Sequence, residues 1–470
     1  MTNKEYEIML QNMTDDQKEA FEAVMSGANV FVSGGGGVGK SFVLRLIVYA
    51  LELAGKNVMV CAPTGVAASN IEGVTIHRAF RLPIGPCITE KTVKIMAHAP
   101  KALQITDVVV IDEVSMCRID VFDSIVASIE KAERTSGNHI QIVVFGDYYQ
   151  LPPVIPDNGE RDFLSRYYGE DIRGGYAFLS PGWHRMKFSV VELNEVVRQK
   201  DPEFAGNLNR LRIGDVSVLD YFNAKSAKEP IEGGVSLYPC NCQVSKANAE
   251  GLQMIDEPPI HLETLYDGEL SASDCAGGAD VLTIKPWARI MFTANDNGKT
   301  ATTLELPGKK RCYPKKEGLR YVNGSMGTVY AYQDDPDDPY NGILVIGVDG
   351  GEIVEVSRQR YAEYEYVTKG DKLVRRVVGH YYRFPICLAY ALTIHKSQGQ
   401  SYNRVNIDPA CYNHGQLYVA LSRCREIGNM YLMGLLQPEY LIIDPDVKDF
   451  YANVNNAGRG GCKIGSLLLE

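Results

Sequence analysis

The chain has 470 residues, a formal net charge of −10, and 45% hydrophobic and 23% charged side chains, the balance of a globular protein of two or more domains. Net negative charge argues against a protein that coats nucleic acid by bulk attraction, but not against one that holds a strand in a local groove. No apolar run approaches the roughly 18–20 residues of a membrane helix, and the polar, mixed-charge start MTNKEYEIML matches neither a signal nor a transit peptide. The 11 cysteines contain no C-x-x-C, and Cys240 and Cys242 form an isolated C-x-C. Metal ligation and a disulfide framework are therefore not expected, and a reducing, intracellular setting is.

The first strong signal in chain order is NVFVSGGGGVGKS, Asn29 to Ser41. A β-rich run ends in Gly34, four residues follow, and Gly39-Lys40-Ser41 opens an apolar helix. In that strand–loop–helix context G-x-x-x-x-G-K-S is a phosphate cradle. Gly34, Gly37, Val38 and Gly39 supply backbone around phosphate oxygens, and the helix N-terminus adds its positive dipole end. Lys40 reaches the β/γ-phosphates of ATP, and the Ser41 hydroxyl holds Mg²⁺.

Asn57 to Cys61, Asp107 to Ile111 and Ile140 to Phe145 follow as apolar runs, read as buried parallel strands that end at a shared site. The second delivers Asp112 and Glu113, suited to the Mg²⁺ shell and to orienting and deprotonating water. The third delivers Asp147 and Gln150, whose amide suits a γ-phosphate. A second α/β unit is expected from about Ser189, resuming from Phe384 to Gly434. Between them, Ser325 to Tyr332, Ile343 to Val348 and Glu352 to Val356 read as antiparallel strands of a small barrel, with the YAEYEY run read as a sheet face ahead of a base-stacking platform. The expected fold class is α/β: a first domain over 1–185, a second over 186–300 and 383–470, and a β-barrel-like insert over 301–382.

In order, GGGGVGKS, APTGVAASNI, TIHRAF, VIDEVSM, GDYYQLPPV, LNEVVRQ, LAYALTIHKSQGQSYNRV and LYVALSRCREIGNMYL resemble the motifs of superfamily 1B DNA helicases, the Pif-one, RecD-like and Dda-like group. The resemblance runs from about residue 14 to 434. It implies two RecA-like P-loop NTPase domains and an ATP-driven motor that moves 5′ to 3′ on single-stranded DNA and unwinds tailed or forked duplex, in replication, repair or recombination. It assigns Gln17 to adenine, Arg198 and Arg423 to the γ-phosphate from the second domain, and Gln398-Gly399 to a relay between strand and ATP. It gives Thr64, His77, Phe80, Thr393, His395 and Lys396 to the DNA track. Phe80 fits base stacking and core packing equally well, and His77 and His395 fit strand contact or structural hydrogen bonding. A wedge that splits duplex would fall within Pro83 to Lys101. The active form is expected to be a monomeric motor core.

Two other classes compete with this one. A nucleotide-switch binding protein would carry an N-K-x-D base-reading motif, which is absent. A translocase that remodels protein–DNA complexes without unwinding shares every motif.

Overall fold

The computed structural model describes residues 3–459 apart from 84, 88–99, 156–157, 170–171, 173, 200, 269–280, 297–319, 322, 335–341, 350–351 and 370–371. Its first domain is built on six strands: β1 (Val30–Gly34), β2 (Val58–Ala62), β3 (Val74–Thr75), β4 (Val108–Ile111), β5 (Gln141–Gly146) and β6 (Ser189–Leu193). They lie in the order β3-β2-β4-β5-β1-β6, and every pairing is parallel. Such a sheet is covered on both faces, and β1, β2, β4 and β5 are buried along their whole length because they carry continuous Val/Ile/Phe runs rather than alternation. The three anticipated strands stand within a residue of their sequence limits.

Two boundaries move. Ser189–Leu193 does not open the second domain, because all five residues pair with β1, so the first domain continues through Leu193. The helix Pro445–Arg459, placed by sequence in the second domain, returns to the first. Its Val447 and Tyr451 enter the first domain's core beside Phe31, Tyr148 and Trp183, and the Tyr451 hydroxyl meets Ser33 Oγ at 2.7 Å. The spacing of Val447, Phe450 and Tyr451 puts them on one helical face.

The second domain carries β7 (Val235–Tyr238), and its parallel sheet is completed by chain that returns after a long β excursion. That excursion begins earlier than residue 301. It comprises β8 (Ile260–Glu263), β9 (Leu265–Gly268), β10 (Val281–Ile284), β11 (Arg289–Phe292), β12 (Met326–Gln333), β13 (Ile343–Val348), β14 (Ile353–Ser357), β15 (Gln359–Lys369), β16 (Lys372–Arg383) and β17 (Ile386–Leu388). Among the described residues these strands form an open five-stranded sheet β14-β13-β12-β11-β17, a three-stranded sheet β15-β16-β9 and a pair β10-β8. Strands β8, β10 to β14 and β17 share a core of their own around Ile290, Phe292, Val329 and Ile346, whereas Tyr364 of β15 packs on the first domain's core. The insert is thus an antiparallel β domain from about 260 to 388, described as sheets rather than as a closed barrel. Tyr361 stacks on Tyr381 across β15 and β16 at 5.0 Å, as a sheet-face reading of YAEYEY requires. The chain then supplies β18 (Ala391–Thr393), β19 (Val405–Ile407) and β20 (Met430–Leu432), giving the parallel order β18-β7-β19-β20.

Most of the anticipated wedge lies outside the described residues. Its entry is fixed: Arg118 donates to Gly85 O at 2.9 Å, and Asp120 accepts from Cys87 N at 2.8 Å. Cys240 and Cys242 are joined as a disulfide, a single local bond where none was expected. Among the described residues no helix is long and apolar enough to cross a membrane, and no group of three His, Cys, Asp or Glu side chains is placed to hold a metal.

Candidate functional site

The carboxyl ends of β1, β4 and β5 are neighbours in the sheet order, so the topology brings Gly34, Asp112 and Asp147 to one edge. After β1 the loop turns through Gly37 (φ +91°) and Gly39 (φ +87°) into the helix Lys40–Leu53. Glycine is needed at Gly37 because a Cβ would stand 2.6 Å from that of Arg198, and the left-handed backbone is strained for other residues. Lys40 Nζ donates to Gly34 O at 2.7 Å and Gly35 O at 3.0 Å, a cation held over the loop that phosphate would fill. Burial lowers the Lys40 pKa, and Asp147, Glu113 and Asp112 oppose that shift.

Asp112 is 5% exposed. Burial and then the Glu113 charge push its carboxyl up to about 7. Two adjacent carboxylates in a dry site are a donor set that a divalent cation relieves, and Ser41 and Asp112 are the residues that would hold Mg²⁺ here. Glu113 takes a left-handed conformation, φ +52°, of a kind that clusters at working sites. Gln150 Nε2 donates to Asp147 Oδ2 at 3.0 Å.

The second domain closes this edge into a cleft of about 320 Å³, lined by P-loop residues Gly36, Gly37, Gly39, Lys40 and Ser41 together with Glu113, Gln150, Arg198, Gly399 and Arg423. Arg423 is 1% exposed. Its guanidinium is held by Val419 O (2.8 Å), Gln400 O (3.1 Å) and Ser422 Oγ (2.7 Å). Burial, then the charge of Arg198, lowers its pKa to about 10. Arg198 enters through backbone bonds from Val197 N and Arg198 N to Gly37 O. Its Nη1 is buried with no hydrogen-bond partner. Neither arginine forms an ion pair among the described residues. Two cations turned toward one cleft, with the Glu113 carboxylate near but not bonded to either, fit a polyphosphate.

Other assignments fare differently. Gln17 is 3% exposed; its carbonyl accepts from Thr14 N at 3.1 Å and its amide donates to Val38 O at 3.0 Å. In this conformation it caps a helix and braces the P-loop rather than presenting an edge to adenine. Val38 is a core side chain, 2% exposed, so only its backbone faces the cradle. Phe80 is 2% exposed in the first domain's core; its ring packs and is not available to stack on a base. The Thr64 and Thr393 hydroxyls accept from Ala67 N and Lys396 N, each at 3.2 Å. Thr64 and His77 follow β2 and β3, on the same sheet edge as the P-loop but at its other end. His395 is half-buried and Lys396 exposed on the loop after β18, and the same loop sends Gln398 Nε2 to Glu113 Oε2 at 3.3 Å.

A family model described as PIF1-like helicase matches residues 12–217. The ATP-dependent DNA helicase Pif1 of Bdellovibrio bacteriovorus is 29% identical over 452 residues, covering 93% of this chain and 91% of its own. The crystal structure of Bacteroides sp Pif1 in complex with ADP-AlF4 superposes with a TM-score of 0.73 at 28% identity, over 95% of this chain and 97% of that one. Along nearly its whole length the chain is similar to PIF1-like helicases. A structure of DNA unwinding at forked dsDNA by two coordinating Pif1 helicases also matches, with 27% identity and a TM-score of 0.62 over 95% and 98%. The two parallel-sheet domains of this PIF1-like chain are accordingly RecA-like.

Sequence reasoning missed four residues of this site. Arg212 binds Asp147 from the second domain, the Tyr418 hydroxyl accepts from Gly36 N at 2.7 Å, His414 joins the domains behind the Asp147 turn, and the Tyr451 hydroxyl accepts from Tyr148 N within the first domain. Tyr418 lay inside a recognised motif; Arg212 and Tyr451 lay in none.

Proposed function

We propose that this chain is an ATP-dependent DNA helicase that moves 5′ to 3′ on single-stranded DNA and unwinds duplex. The carrying observation is that Arg198 and Arg423, neither in an ion pair among the described residues, meet the P-loop across an interdomain cleft. The names of the relatives, ATP-dependent DNA helicase Pif1 and Pif1 at forked dsDNA, agree with it.

In this reading the P-loop backbone and Lys40 bind the β/γ-phosphates. Ser41 and Asp112 would hold Mg²⁺, which would supply charge neutralisation at the phosphates. Glu113 orients the attacking water and takes its proton, while Gln150 holds the γ-phosphate by its amide. Arg198 and Arg423 stabilise charge that develops in the transition state, and such arginines are worth about 10³–10⁵ in rate in related systems. Hydrolysis therefore requires a closed cleft, and opening afterwards moves one domain relative to the other. His77, His395, Lys396, Thr64 and Thr393 are the proposed strand contacts, through side chains and loop amides. One chain is the proposed motor unit, and the number of copies at a fork is read from the same assay by titrating enzyme against DNA.

Strand displacement on duplexes with a 5′ or a 3′ single-stranded tail tests this. Unwinding is expected from the 5′ tail only, with none in Lys40→Ala. Efficient unwinding from the 3′ tail contradicts the polarity, and ATP-driven release of bound protein without unwinding supports the remodelling translocase.

A further inference from the structure

Arg212 is the last residue of the helix Pro202–Arg212, whose Phe204, Leu208 and Leu211 belong to the second domain's core. Its side chain leaves that domain. Nε and Nη2 donate to the Asp147 carboxylate at 2.9 to 3.1 Å, and Nη1 donates to Glu192 at 3.1 Å. Asp147 follows β5 and Glu192 lies in β6, so both acceptors belong to the first domain. The guanidinium carbon lies 5.0 Å from the ring centre of Tyr149 and 5.8 Å from that of Tyr451. Asp147 is fully buried, and Arg212 is 7% exposed.

The partners of Asp147 give this pair its meaning. The same carboxylate accepts the Gln150 amide, and among the charges acting on Lys40 it is the foremost. Gly35 of the P-loop packs on the pair as well, since a Cβ there would lie 3.4 Å from Arg212 Cδ. A buried ion pair adds little net stability over apolar side chains of the same shape, because desolvation offsets attraction. What an arginine fork on a carboxylate does supply is a fixed geometry. Here that geometry links a second-domain helix to the residue that orients Gln150.

We propose that Arg212 is a positioning residue for ATP hydrolysis: through Asp147 it sets the Gln150 amide and ties that setting to the stance of the second domain. The role rests on the helicase reading above. A purely structural clamp would use Glu192 as much as Asp147. A positioning role runs through Asp147 alone, because among the described residues the Glu192 carboxylate bonds Arg212 and no P-loop or phosphate-sensing side chain.

The test is single-stranded-DNA-stimulated ATP hydrolysis by the full chain, with kcat, KM for ATP and Tm measured together for Arg212→Gln, Arg212→Lys, Asp147→Asn, Glu192→Gln and the Asp147→Asn/Arg212→Gln double variant. Arg212→Gln is expected to lose about tenfold or more in kcat while KM for ATP shifts less than about threefold. Arg212→Lys recovers only a small part, because a point charge cannot make the fork. The double variant is no worse than Arg212→Gln by more than about twofold, and Glu192→Gln stays within about threefold of the parent. If Arg212→Gln is unfolded at the assay temperature, Arg212→Lys and Asp147→Asn decide, and both must lose kcat with Tm near the parent's. Multiplying losses in the double variant, a change confined to KM, or equal losses in Glu192→Gln overturn the role. A parent chain without DNA-stimulated hydrolysis overturns the helicase reading and this role with it; a stimulated parent with an unaffected Arg212→Gln overturns this role alone.

Discussion

Gln398, on the loop after β18, donates its side-chain amide to the Glu113 carboxylate at 3.3 Å. One residue is on the proposed DNA loop of the second domain, and the other is the proposed base of the first. A strand that moves the loop therefore moves the base. Gln398→Ala is expected to lower the ratio of DNA-stimulated to DNA-free kcat about fivefold, the roughly 1 kcal/mol of an ordinary hydrogen bond. An unchanged ratio removes this link.

Glu113→Gln keeps the size and hydrogen-bonding capacity of the side chain and removes its basicity. Its kcat should fall about 10²–10⁴-fold, the range of general-base catalysis, while ATP still binds. Equilibrium binding of a fluorescent ATP analogue beside steady-state hydrolysis separates the two, and a parallel loss of binding would assign Glu113 to holding ATP.

The two cleft arginines should differ. Arg198 has a buried Nη1 without a partner, so Arg198→Ala is expected to cut kcat about 10³-fold or more with little change in Tm. Arg423 holds the carbonyls of Val419, Ser397 and Gln400. Arg423→Ala should therefore lose comparable activity and in addition about 2–3 kcal/mol of stability, since it strips charge-assisted bonds from buried acceptors. Paired denaturation and hydrolysis measurements check this, and equal stability of the two variants contradicts it.

Phe80→Ala is expected to cost about 3–5 kcal/mol of stability, the range for emptying an aromatic site in a packed core. Phe80→Leu should cost less than about 1.5 kcal/mol and leave affinity for single-stranded DNA unchanged. Weakened DNA binding by a well-folded Phe80→Leu would restore the stacking role.

His414 donates from Nε2 to Tyr148 O at 2.7 Å and accepts at Nδ1 from Asp444 N at 2.9 Å. Those bonds require the neutral ring. Burial lowers its pKa, so the unfolded chain binds the proton more tightly, and stability falls as pH drops below the unfolded value of about 6.5. His77 and His395 are lowered in the same sense. Tm measured from pH 7.5 down to about 5.5 should decline, with a shallower decline for His414→Gln, which keeps a donor and an acceptor.

The first sheet's strands and their terminal residues were legible because uninterrupted Val/Ile runs in parallel strands end where the chemistry sits. Asp112, Glu113 and Gln150 could thus be placed without coordinates. Arg212 was not legible, since an arginine at a helix end reads as solvated until the carboxylate it meets, 65 residues away, is known. The membership of β6 and the helix Pro445–Arg459 in the first domain was hidden for the same reason: strand order and helix docking are long-range facts. Phe80 was undecidable because a ring at helical spacing suits a core and a base equally well.

In the proposed cycle hydrolysis waits for a strand to close Arg198 and Arg423 over the P-loop. ATP hydrolysis by the unmodified chain, measured with and without single-stranded DNA, tests it most directly. Strong stimulation by DNA that is lost in Arg198→Ala is expected, and full activity without DNA removes the motor reading.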